Sequence, residues 1–191
     1  LIKVGERREM QRLGRSYDDA AGEAFDKVGR LLGLSYPGGP AIAKIAKKGN
    51  ASKFNLPKCK VSDKEGGFLK YDFSFSGLKT AVLRLVEKIN LNGDEIPISD
   101  IAASFERVVA EVLVERTIKC AIDNNLDNIV VVGGVAANET LRKMMIGEAC
   151  KKSIKVHLAP LNLCTDNAAM IGAAALFRLK FRAHESSLKL G

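Results

Sequence analysis

VVVGGVAANETL, from Val130 to Leu141, continues a β-branched run begun at Ile129. It turns at Gly133-Gly134 and passes Asn138, Glu139 and Thr140 into helix-compatible residues from Leu141. That order reads as strand, tight turn and helix start. Glycine has no Cβ, so backbone at Gly133 and Gly134 can approach a ligand closely, and the first N–H groups of a helix attract anions and carbonyl oxygens. A nucleotide is the natural guest of such a turn. An ordinary strand-to-helix connection inside an α/β domain has the same features, and a glycine pair alone does not separate the two.

Outward from this turn the alternation continues. Upstream, Ser99 reads as the cap of a long helix whose apolar positions Ile101, Phe105, Val108, Val109, Val112 and Leu113 keep a 3.6-residue period as far as Ala121. Its role is read as core. Downstream, Val156-His157-Leu158 forms a second short strand, Ala159-Pro160 breaks it, and a last helix spans Ala168 to Phe181. Helix, strand, helix, strand, helix predicts parallel α/β. The last helix carries small residues at Ala168, Ala169, Gly172, Ala173, Ala174 and Ala175, which allow close backbone packing. Asp166 precedes it, in the place where an aspartate ordinarily caps a helix and complements its dipole; metal ligation is the other use for a carboxylate there.

The chain opens on Leu1-Ile2-Lys3-Val4 in strand rhythm, turns through Gly5 and alternates again near Met10 to Leu13. A hairpin starting at residue 1 without an initiator methionine reads as the continuation of something longer. From Tyr17 to Leu34 the period is helical, with Ala21, Ala24, Phe25, Val28, Leu31 and Leu32 on one face. Asp19, Glu23 and Asp26 fall within roughly 60° of one another on the opposite side. They suit ribose hydroxyls, or equally a solvated face with an Asp26–Arg30 pair. Tyr36-Pro37-Gly38-Gly39-Pro40 is a rigid turn exposing backbone N–H groups. A helical segment, Ala41 to Lys48, leads into a lysine-rich loop over 50–70. Tyr71 to Gly77 alternates aromatic and polar residues like a short strand or extended loop, with Ser74 and Ser76 on one face, and Leu78 to Ile89 is helical again.

Composition sets the bounds. The 191 residues, 47% of them hydrophobic, suit one ordinary domain, or a domain with a subdomain, and a packed core. No apolar stretch is long enough to span a bilayer and no signal peptide is visible, so a cytoplasmic protein with no membrane partner is expected. Four scattered cysteines without CxxC spacing argue for reduced thiols. A net charge of +8 with dispersed Lys and Arg is compatible with a polyanionic partner such as RNA, and weak support for one.

DDAAGEAFDK (Asp18 to Lys27), YPGGP (Tyr36 to Pro40), FSFSGLKT (Phe73 to Thr80), GGVAAN (Gly133 to Asn138) and CTDNAAMIG (Cys164 to Gly172) together resemble the TsaD family, also called YgjD or Gcp, the tRNA N6-adenosine threonylcarbamoyltransferases. The motifs run in order across nearly the whole chain. The resemblance implies an actin-like ATPase fold of the sugar kinase, Hsp70 and actin type, built from two ribonuclease H-like halves over a nucleotide cleft. Residues 1–191 would be the C-terminal domain, with a helical and loop insertion at about 17–98 and the N-terminal domain absent. The implied activity is transfer of threonylcarbamoyl from threonylcarbamoyl-AMP to N6 of adenosine 37 in tRNAs reading codons that begin with A, giving t6A. Carried over by motif, the substrate-binding positions are Asp26, Gly39 and Asn138, supported by Gly38, Gly133 and Gly134 in the nucleotide loops, and Asp166 is a metal ligand. The implied cofactor is one divalent metal per subunit, Fe2+ foremost, with Zn2+ or Mg2+ as alternatives. The implied partners are tRNA, TsaB and TsaE.

One departure stands out. The family's HxxxH metal helix and SGGHT-type loop are not in this chain, and His157 and His184 fit neither. One carboxylate does not retain iron or zinc by itself, so the chain in isolation is expected to be inactive. No Ser-His or Cys-His arrangement calls for a covalent intermediate, and no catalytic residue or proton acceptor is assigned. Two other classes compete: a metal-dependent O-sialoglycoprotein endopeptidase, for which no HExxH is present, and a non-catalytic actin-like scaffold, which would be expected to lack the Asp166 motif.

Overall fold

The computed structural model describes residues 1–5, 9–63 and 65–181; His184 lies outside them. The chain begins with an antiparallel hairpin, β1 (Ile2–Val4) against β2 (Met10–Arg12), with Ile2 opposite Arg12. Four helices follow: α1 (Ala21–Leu31), α2 (Gly38–Ala46), α3 (Ser76–Leu91) and α4 (Ile98–Asp123). Then come β3 (Asn128–Val131), α5 (Glu139–Cys150), β4 (Lys155–Leu158) and α6 (Ala168–Phe181). β3 and β4 pair in parallel, from Asn128 opposite Lys155 to Val131 opposite Leu158, with α5 as the crossover. This βαβ unit is the parallel α/β element that the period change predicts.

Several boundaries depart from expectation for identifiable reasons. α1 starts at Ala21, not Tyr17, because the preceding residues are held to a distant segment: Tyr17 N donates to Phe73 O, and the Asp18 carboxylate accepts from Phe75 N and Ser74 Oγ. α2 starts at Gly38, before the predicted Ala41, since Pro40 falls in the first turn where its missing N–H leaves no bond unmade. Ser99 lies inside α4 and does not cap it. Pro97 precedes the helix, and Asp100 in its first turn accepts from Asn50 N at 2.7 Å. Ser74 is bound to Asp18, and Ser76 opens α3, so the two do not form a strand edge.

α4 runs through two packed clusters. Its first half (Ile101, Phe105, Val108) meets Phe25 and Val28 of α1, Ile42 of α2 and Leu78 and Val82 of α3. The Phe25 and Phe105 rings meet edge to face, centroids 5.2 Å apart. Its second half (Ala110, Val114, Ile118, Ala121) meets Ile129, Leu141, Met145 and Ile154 of the βαβ unit. Apolar burial on nearly every side of the helix is what an interior helix requires. The other face of β3 is open: Val130 is 68% and Val132 70% exposed. α6 is also open, with Ile171, Leu176 and Leu179 exposed, so its small residues do not produce the close packing expected of them among the described residues. All four cysteines are free thiols. No described helix is long and apolar enough to cross a membrane.

Candidate functional site

A cavity of about 1060 Å³ lies between α1, α2, α4 and the turn after β3. Asp26, Gly39, Gly134, Asn138 and Thr165 line it, drawn together from stretches widely separated in the chain. A smaller hollow of about 550 Å³ beside Glu111, Glu115 and Lys119 on α4 contains none of the predicted residues.

Asp26 projects from α1, and its Oδ1 accepts from Gly38 N at 2.8 Å, which ties the start of α2 to α1. The carboxylate makes no second bond among the described residues, so its other oxygen is available to a ligand in the cavity. It does not pair with Arg30. The predicted trio of carboxylates is also divided: Lys27 binds Asp19 at 2.5 Å and Glu23 at 2.9 Å, leaving Asp26 alone on the cavity wall. The hydrogen bond to Asp19, then that to Glu23, holds the Lys27 ammonium above its ordinary pKa. Asp19 Oδ2 is buried without a hydrogen-bond partner among the described residues.

The two glycines of YPGGP differ. A Cβ on Gly38 would sit 2.4 Å from Phe25 O and 2.6 Å from Asp26 Cα, so packing of α2 on α1 demands glycine there. A Cβ on Gly39 would meet nothing within 4 Å and would point into open space. No protein neighbour requires glycine at 39; a ligand lying close to the backbone would. Gly133 has φ +91, a conformation that L side chains rarely adopt, and Gly134 begins a short 3-10 turn, Gly134–Ala137, in place of the single tight turn expected.

Asn138 caps α5, its Oδ1 accepting from Leu141 N at 2.9 Å. Its Nδ2 donates to Glu106 Oε1 at 2.6 Å, and Thr140 Oγ1 donates to Glu106 Oε2 at 2.8 Å. Glu106 lies on α4, only 8% exposed, and also lines the cavity. Sequence reasoning took α4 as core throughout and missed it. The available signal was a carboxylate whose helical neighbours three and four residues away, Ala102, Ala103, Val109 and Ala110, are all apolar, so that its charge has no solvated face. Three lysines, Lys44, Lys47 and Lys143, line the same cavity; Lys47 lies 3.2 Å and Lys143 3.9 Å from Glu139.

Asp166 is exposed, one residue beyond Thr165 on the cavity wall. It does not cap α6. Asn167 does, its Oδ1 accepting from Met170 N at 2.9 Å. The Asp166 carboxylate therefore has no structural partner among the described residues. These residues contain no group of three His, Cys, Asp or Glu side chains able to hold a metal, and His157 is bonded to Asn128 at 2.8 Å. As a donor set, Asp166 offers one hard oxygen and does not amount to a metal site within the described chain.

Residues 1–173 match the family model described as TsaD: tRNA N6-adenosine threonylcarbamoyltransferase. A tRNA N6-adenosine threonylcarbamoyltransferase from Prochlorococcus marinus subsp. pastoris is 94% identical over all 191 residues, which cover 54% of that protein. One from Prochlorococcus marinus strain NATL1A is 65% identical over the same span, again 54% of its length. The chain thus spans about half the length of the curated relatives it matches. Among solved structures, HypF of T. kodakarensis superposes with a TM-score of 0.62 at 21% identity over 86% of this chain and 20% of that one. A full-length HypF in its phosphate- and nucleotide-bound form gives 0.58 at 18%, over 83% and 20%. At that identity the likeness speaks for an α/β fold alone.

Proposed function

The chain belongs to the TsaD family, and on that premise we propose that it forms the adenylate-binding side of a transferase that carries threonylcarbamoyl from threonylcarbamoyl-AMP to N6 of adenosine 37 of tRNA. The observation that carries this reading is the single cavity into which Asp26, Gly39 and Asn138 converge. In the same reading the fold is the C-terminal half of an actin-like ATPase.

Each residue has a role suited to its observed surroundings. The free Asp26 oxygen accepts from a ribose hydroxyl, Gly39 lets the nucleotide lie against backbone, and Asn138 donates an amide N–H. The lysines at the rim favour the phosphate. Threonylcarbamoyl-AMP is a mixed anhydride, already activated: the N6 amine attacks the carbamoyl carbon, the bond from that carbon to the phosphate oxygen breaks, AMP leaves with that electron pair, and N6 releases one proton to water. Holding the two reactants in line is the larger part of what such a site must do. Asp166 would give one ligand to a divalent ion, Fe2+ or else Zn2+ or Mg2+, with the remaining ligands from outside this chain; when bound, such an ion supplies Lewis acidity. TsaB and TsaE are the proposed protein partners.

The test is mass-spectrometric nucleoside analysis of unmodified tRNA incubated with threonylcarbamoyl-AMP, TsaB, TsaE and ATP. Three proteins are compared: the longer protein containing this chain, its Asp166→Ala variant, and the 191-residue chain. We expect t6A from the longer wild-type protein only. Product from the short chain would overturn the incomplete metal site, and product from none would overturn the transferase reading.

A further inference from the structure

Glu106 is a carboxylate that α4 carries into the wall of the cavity, and it has no cation for a partner among the described residues. Burying a charge is costly unless hydrogen bonds replace its water, and here each oxygen has one: Oε1 takes Asn138 Nδ2–H and Oε2 takes the Thr140 hydroxyl. An ionised carboxylate only accepts, so the direction of both bonds is fixed. The consequence for Asn138 is a single amide orientation. Turned over, the amide would set its oxygen against the Glu106 carboxylate and its NH2 against Leu141 N–H, two repulsions in place of two bonds. One Nδ2–H then remains for the cavity. The consequence for Thr140 is that its only proton is engaged, so the hydroxyl shows lone pairs alone.

We infer that Glu106 is a positioning residue for the adenylate: it orients Asn138 and Thr140 so that the cavity presents one donor beside one acceptor. A nucleoside group that both accepts and donates, such as a ribose hydroxyl or the adenine edge, matches that pair; a fully ionised phosphate, which only accepts, does not. Asn138→Ala removes the contact itself, whereas Glu106 acts through its neighbours. The inference rests on the reading of the cavity as the adenylate site.

The experiment uses the longer protein containing this chain, with AMP binding followed by calorimetry and with KM and kcat for threonylcarbamoyl-AMP, in Glu106→Ala, Glu106→Gln and Asn138→Ala. Losing a fixed donor to a ligand weakens binding by about tenfold or more, so Glu106→Ala should raise the AMP Kd and the KM by that order and leave kcat within about threefold. Glu106→Gln keeps an oxygen for Asn138 Nδ2–H but turns its NH2 on Thr140, so it should recover the share of the affinity that Asn138 carries and remain measurably tighter than Glu106→Ala. A structural role alone would lower the thermal midpoint without this KM-only pattern or its rescue. If Glu106→Ala does not fold, Glu106→Met takes its place. Unchanged AMP affinity in Glu106→Ala with loss in Asn138→Ala overturns the positioning role and spares the adenylate site. Unchanged affinity in both overturns both, and a Gln variant as weak as the Ala variant overturns the orientation argument.

Discussion

Two adjacent glycines make opposite demands. Gly38→Ala places a Cβ against backbone that cannot move without separating α1 from α2. We expect a loss of about 2 kcal/mol or more, measured by urea denaturation. Gly39→Ala meets no protein atom, and its stability should stay within about 1 kcal/mol of wild type; on the proposed adenylate reading, AMP affinity should fall because a methyl group would fill space the nucleotide needs. Asp166 and Asn167 divide in a similar way. Asn167→Ala removes the α6 cap and should cost about 1 kcal/mol of helix stability, visible as faster amide exchange in the first turn; Asp166→Ala should leave that exchange unchanged. Dipole reasoning on sequence could not tell these neighbours apart, because either side chain is a good cap and only the turn geometry selects one.

Among the elements, the sequence pattern located every helix and strand longer than four residues among the described residues, and the start of α6 to the residue. It failed where an element's end is decided by a remote partner. The start of α1 depends on Asp18 reaching Phe75 and Ser74, and the start of α4 on Asp100 meeting Asn50; no local pattern carries that information. Motif resemblance singled out Asp26, Gly39 and Asn138, which meet at one cavity, and did not single out Glu106, whose bonds to Asn138 and Thr140 exist only once α4 lies beside α5. A further remote tie joins the segment before α3 to the end of α4. Tyr71 OH donates to Asp123 Oδ2 at 2.8 Å; this bond, with partial desolvation, pushes the Tyr71 phenol up to about 12. The same bond, helped by Lys119, holds the Asp123 carboxyl below its ordinary 3.8. A raised phenol stabilises the fold fully below its unfolded value of 10.0 and loses that contribution as pH rises toward 12; a lowered carboxyl stabilises above 3.8 and loses it as pH falls. The difference in thermal midpoint between wild type and Tyr71→Phe should therefore be full between those two values and shrink on either side. Tyrosinate absorbance should also lose its step near 12 in the variant.

At the scale of the whole molecule, apolar surface is left uncovered on one face of β3 and along α6. Such patches bind hydrophobic dyes. Ile171→Lys with Leu176→Lys should reduce dye fluorescence and leave unfolding free energy within about 0.5 kcal/mol, because neither side chain is buried here. α4 has the opposite character. At 1.5 Å per residue its 26 residues make a rod about 39 Å long, and it is a member of both packed clusters. Neither cluster can melt while the other keeps that helix intact, so calorimetry should record one transition with equal calorimetric and van't Hoff enthalpies. Asp26 and Gly39 stand on one cluster and Asn138 on the other, with the same rod bracing both. The span across the cavity is thus a gauge set by α4, and a ligand of the wrong width would have to bend a helix to be admitted.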